Sequence, residues 1–149
     1  MAGSRARSTR VFYAADIHGS QVVFKKFLKA VEFYGADALV FGGDLMGKAL
    51  VPIVRDDGGY RAHFQGMDQT FAEDGLAPFV HAVELPGFYW RVFDRDEYEA
   101  IEDDPLAKHG LFHELASARL EEWISMAEDR LAGTGVRLYL TGGNDDEPS

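Results

Sequence analysis

The sequence predicts an α/β fold, and three observations carry that prediction. Apolar runs at residues 11–15, 38–41 and 136–140 read as buried strands. The first two are separated by a segment with helical periodicity, and a second such segment precedes the third. Each run closes on a short polar turn: Asp16-Ile17-His18-Gly19, then Gly42-Gly43-Asp44, then Gly142-Gly143-Asn144-Asp145.

Taken in order, residues 1–9 are small, polar and basic and read as a flexible tail. After the first strand, Ser20 stands where a helix N-cap is expected. Phe24, Phe27, Leu28, Val31 and Tyr34 follow at helical spacing, with Lys25, Lys26, Lys29 and Glu32 on the other face. Gly35 is a helix stop. This strand–helix–strand unit implies parallel pairing through a right-handed crossover. Residues 50–54 and 60–64 flank Asp56-Asp57-Gly58-Gly59 and predict a hairpin. Pro52 confines the first of its strands to a sheet edge. Pro78, Pro86 and Pro105 punctuate residues 68–107, which show no clear period. Within them, Phe88-Tyr89-Trp90 reads as core packing, and the acidic stretch 94–104 as a solvated face. A helix is expected over residues 111–131, with Phe112, Leu115, Ala116, Leu120, Trp123, Ile124, Ala127 and Leu131 as its apolar stripe. Gly133 and Gly135 end it before the last strand.

A chain of 149 residues is one domain's worth and can bury a core. Its net charge of −10 argues against a surface built to neutralise nucleic-acid phosphates. Cysteine is absent, so thiolate metal sites and disulfides are excluded. Any metal must be held by oxygen and imidazole, which favours Mn, Mg, Fe or Zn. No apolar run has the length of a membrane span or follows the basic N-terminus as a signal-peptide core. A cytoplasmic protein without membrane association is expected.

In an open parallel sheet, ligands sit beyond the carboxyl ends of the strands, where all three polar turns fall. Asp16 and His18 flank one residue, so in an extended segment both side chains can face the same way. Asp44 adds two oxygens and Asn144 a neutral carbonyl oxygen. This donor set suits divalent cations that activate water and clamp a phosphoryl group.

The order Asp16-x-His18, Gly43-Asp44, Gly143-Asn144 resembles the calcineurin-like metallophosphoesterases. The resemblance implies a layered β-sandwich flanked by helices and a site for two divalent cations, Mn, Fe, Zn or Mg. It further implies hydrolysis of a phosphomonoester or phosphodiester small molecule, with hydroxide held by metal as the nucleophile. By the same resemblance, Asp16 and His18 would bind the first metal, Asp44 would bridge, and Asn144 would bind the second. Asn144 and Asp145 would be the catalytic pair. The likeness covers about residues 10–47 and 136–147. It leaves about 47–134 as a cap-like insertion within a domain spanning 10–149.

Two departures stand out. Asp145 occupies the place where the family has a histidine that assists the phosphoryl or leaving group. The family's later histidines, including Gly-His-x-His, do not follow. The resemblance therefore implies an N-terminal portion, incomplete at its C-terminal end. A non-catalytic metal-binding or regulatory module on the same scaffold, or an inactive truncated fragment, is the alternative. A doubly wound nucleotide-binding domain is disfavoured, because no G-x-G-x-x-G or Walker pattern is present. His109 and His113 read as a helix-start pair rather than zinc ligands, and His63 and His81 as structural or surface residues.

Overall fold

The computed structural model describes residues 8–144 and 146. Strand β1 (Val11–Ala14) leads through a polar loop into helix α1 (Gln21–Tyr34), and the chain returns as β2 (Ala38–Gly42). The two strands pair in parallel, with Phe12 opposite Leu39 and Ala14 opposite Phe41. The third member of this sheet, β7 (Arg137–Thr141), comes from the far end of the chain and pairs in parallel with the other side of β2. The fold is α/β, with two sheets and four helices among the described residues.

One core lies on one face of this sheet. Phe24, Phe27 and Leu28 of α1 pack with Leu39 and Phe41 of β2 and with Trp123 and Ala127 of the long helix α4 (Pro105–Leu131). Phe24 stacks on Trp123 at 4.5 Å, and Phe27 meets Phe41 edge-on at 5.1 Å. Such pairs add roughly 0.5–1.5 kcal/mol beyond their buried area. Among the described residues, the other face of the sheet is largely exposed. Val11 is 56% exposed, Tyr13 63% and Tyr139 48%. The edge strands are therefore buried on one face only, where a fully buried strand is expected from the apolar run alone.

Between β2 and α4 the chain builds a second sheet. It comprises β3 (Leu50–Asp56), β4 (Gly59–Phe64), β5 (Met67–Phe71) and β6 (Tyr89–Phe93), in the order β5-β4-β3-β6. The β3–β4 hairpin closes through Asp57 and Gly58, the turn its sequence predicts. Pro52, however, is not on an edge strand, since β3 lies between β4 and β6. The ladder to β4 begins only at Ile53, so at Pro52 β3 is paired on its β6 side alone. Helix α2 (Glu73–Glu84) covers one face, burying Phe79 and Val83 against Ile53, Ala62 and Phe64. Pro78 lies inside α2 rather than at its boundary. Burial of its two neighbours on the helix face outweighs the one backbone hydrogen bond that a proline forfeits.

The remaining elements refine the expectations at their ends. The acidic stretch forms helix α3 (Arg95–Glu102), with no buried residue and a capping box from Asp94 to Glu97. The long helix α4 starts six residues earlier than its apolar stripe suggests. Asp104 accepts hydrogen bonds from the Leu106 and Ala107 N–H groups, both 3.0 Å, and Pro105 takes the first helical position. Gly35 ends α1 in the left-handed region, as expected (φ 62°). Ser20 occupies the N-cap position of α1, but its hydroxyl does not cap. It donates instead to the Leu85 carbonyl, 3.2 Å away, just beyond the end of α2. Among the described residues, no helix is long and apolar enough to cross a membrane.

Candidate metal centre

Parallel pairing sends the C-terminal ends of β1, β2 and β7 to the same edge of the sheet. The loops that leave them are laced together by backbone. The Asp16 N–H donates to the Gly43 carbonyl (3.2 Å), His18 to Asp44 (2.9 Å) and Gly19 to Leu45 (2.9 Å). Ile17 turns inward and is part of the core beneath the first sheet, anchoring the loop between its two polar neighbours. Asp16 stays exposed and His18 partly buried.

Asp16, His18 and Asp44 each present a ligand atom within 4.8 Å of the others. Two ligands bound to one ion at about 2.1 Å lie at most about 4.2 Å apart, so small side-chain adjustments bring all three onto one cation. The backbone reaches this arrangement by a route that an extended segment does not provide. Asp16 (φ 57°), His18 (φ 45°) and Asp44 (φ 51°) are all left-handed, and the only other non-glycine residue so placed among those described is Gln65, in the β4–β5 turn. Asp and His tolerate this region better than most residues, yet it still costs about 1–2 kcal/mol each. Strain concentrated on three clustered polar residues points to a functional site.

The third loop is fitted against the second without side chains between them. A Cβ on Gly43 would lie 2.8 Å from the Gly143 Cα, and one on Gly143 would lie 2.2 Å from Asp44 Oδ1. Gly143 therefore abuts the Asp44 carboxylate, and Asn144 is the next residue along. Asp145 lies outside the described residues.

Asp146, which the sequence does not single out, ties the β2 and β7 loops together. Its Oδ2 accepts from the N–H groups of Leu45 (3.0 Å) and Gly143 (2.8 Å), and its Oδ1 from Met46 (2.7 Å). Burial works to raise this carboxyl. The backbone donors of Met46, Leu45, Gly143 and Asp44 outweigh that effect and hold it below its ordinary value. The only signal in the sequence is an acid shortly after a glycine pair, and two of its partners, Met46 and Leu45, lie 100 and 101 residues away.

A groove of about 350 Å³ adjoins this edge, lined by Leu45, Met46, His113, Leu120, Thr141 and Asp146. His109 and His113 both lie on α4, with their Nε2 atoms 3.3 Å apart, and His113 lines the groove. His63 lies away from the cluster and contacts Asp68 across the β4–β5 ladder at 2.7 Å. A cavity of about 660 Å³ at the β3–β4 turn is lined by Arg55, Asp56, Asp94 and Arg95, whose charges pair with one another. No family model, curated protein or solved structure matches this chain.

Proposed function

We propose that this edge of the sheet is the metal centre of a phosphoesterase that hydrolyses a phosphomonoester or phosphodiester small molecule. The single observation that carries this reading is the convergence of Asp16, His18 and Asp44, each on a left-handed backbone, with ligand atoms within 4.8 Å. Their oxygen and imidazole donors fit Mn, Fe, Zn or Mg. Asp16, His18 and Asp44 would hold a first cation, and Asp44 and Asn144 would serve a second. Bound there, divalent cations would supply water activation at neutral pH and charge compensation for the phosphoryl oxygens.

The chain's own residues set the geometry. Asp44 is fixed by the His18 N–H on its carbonyl and by Gly143 against its carboxylate. The groove beside Leu45 and His113 leaves room for the organic part of the ester. Asn144 and Asp145 are the candidates from the sequence for assisting the departing group.

A second reading is a metal-binding module without turnover. It is favoured by the single three-residue ligand group found among the described residues. Calorimetric titration with Mn²⁺, paired with hydrolysis of nitrophenyl phosphate mono- and diesters, separates the two. Metal-dependent turnover that Asp44→Asn abolishes supports the phosphoesterase. Binding without turnover leaves the module, and absence of binding removes both.

A further inference from the structure

The turn between α2 and β6 reaches back onto the loop that carries His18. Gly87 (φ 90°) lies so close that a Cβ there would sit 1.7 Å from the His18 carbonyl oxygen and 2.8 Å from its carbon. Two more glycines complete the contact. A Cβ on Gly47 would meet the Gly87 oxygen at 2.7 Å, and one on Gly19 would meet the Gly47 Cα at 2.7 Å. Three polar ties hold these backbones together. The Lys48 N–H donates to the Gly87 carbonyl (3.0 Å), the buried Ser20 hydroxyl to the Leu85 carbonyl (3.2 Å), and the Gly47 N–H to the buried Tyr89 hydroxyl (2.8 Å).

We infer that residues 85–89 are a positioning device for His18, with Gly87 as the stop against which its peptide rests. The inference rests on the metal reading above. His18 is held at φ 45°, a conformation a histidine leaves readily when its surroundings allow. Its N–H is fixed by Asp44 and its carbonyl is backed by Gly87, so neither end of the residue is free to rotate. The direction in which the side chain leaves the backbone is thereby set, and a ring nitrogen lies within 4.8 Å of ligand atoms of Asp16 and Asp44. Supporting partners of this kind commonly change metal affinity by about 10–100-fold. The second sheet thus contributes to the metal centre without supplying a ligand.

The test uses the full chain with Co²⁺ and Mn²⁺, reading affinity by calorimetry, ligand geometry from the Co²⁺ visible absorption, and folding from the thermal midpoint. The variants are Gly87→Ala, Ser20→Ala and Tyr89→Phe. Gly58→Ala is the control, because Gly58 has the same kind of backbone (φ 84°) with nothing within 4 Å of its would-be Cβ. We expect Gly58→Ala to lower the midpoint while leaving affinity and spectrum unchanged. Gly87→Ala should weaken binding at least about tenfold and alter the Co²⁺ bands, and Ser20→Ala and Tyr89→Phe should do so more mildly. If Gly87→Ala fails to fold, the two milder variants decide. Wild-type binding with spectra and affinities unchanged in the folded variants overturns the positioning role alone. Absence of Co²⁺ and Mn²⁺ binding by the wild type overturns the metal reading and this inference with it.

Discussion

Asp44 and its neighbours make the residue-scale predictions sharp. Asp44→Asn keeps shape and removes charge, so Mn²⁺ affinity should fall at least about tenfold in a calorimetric titration. Gly143→Ala carries no ligand atom away, yet its Cβ would press on Asp44 Oδ1. It should weaken Mn²⁺ binding in the same assay while leaving the far-ultraviolet circular dichroism unchanged. Asp146→Ala strands the N–H groups of Leu45, Met46 and Gly143. Urea unfolding should show a loss of about 1–3 kcal/mol, with Asp146→Asn losing less because one oxygen acceptor remains. Asp16, His18 and Asp44 were legible in the sequence because each stands just past an apolar run. How they converge was not: the left-handed backbone depends on carbonyl partners in another loop. Asp146 was illegible for the same reason, since an acceptor for backbone donors has no pattern of its own.

At the level of elements, α4 packs into the core of the first sheet through Trp123 and Ala127 and touches β6 of the second sheet where Phe112 meets Tyr89. Trp123→Ala removes the stack on Phe24 and should cost about 3–5 kcal/mol in urea unfolding. Asp104→Ala removes only the cap and should cost about 1 kcal/mol. Strand β6 offers a pH test. Burial raises the Tyr89 phenol above its ordinary value, and the Gly47 N–H opposes this only in part. A group whose folded value is raised stabilises fully below its unfolded value of about 10 and loses that contribution as pH climbs through the folded value. Alkaline unfolding followed by circular dichroism should therefore be less steep in Tyr89→Phe than in wild type. Helix α1 and the first sheet were legible because period and punctuation agreed there. Helix α2 was hidden by Pro78, which marks a boundary in most sequences but here sits within a helix held by Phe79 and Val83. The start of α4 was written in Asp104-Pro105, ahead of the apolar stripe used to find it.

For the whole molecule, a cation bound only by the folded chain stabilises it by mass action. At one hundred times its dissociation constant, Mn²⁺ should add about 2.7 kcal/mol to the unfolding free energy, reversed by chelator and absent in Asp44→Asn. The architecture was legible as α/β with the β3–β4 hairpin, but β6 and α2 arise from the segment 68–107, where no clear period is present. Strand β2 pairs with β1 on one side and with β7 on the other, and the Thr141 hydroxyl that bonds the Phe41 carbonyl is 100 residues from it in sequence. During synthesis, one edge of β2 must therefore wait, unpaired, while the whole second sheet and α4 are made. Contacts of such long range are slow to close, and an open edge invites foreign strands in the meantime. The ribosome delivers β7 together with the loop that carries Gly143, so pairing of the second edge of β2 and arrival of that loop beside Asp44 are one event in the life of each molecule.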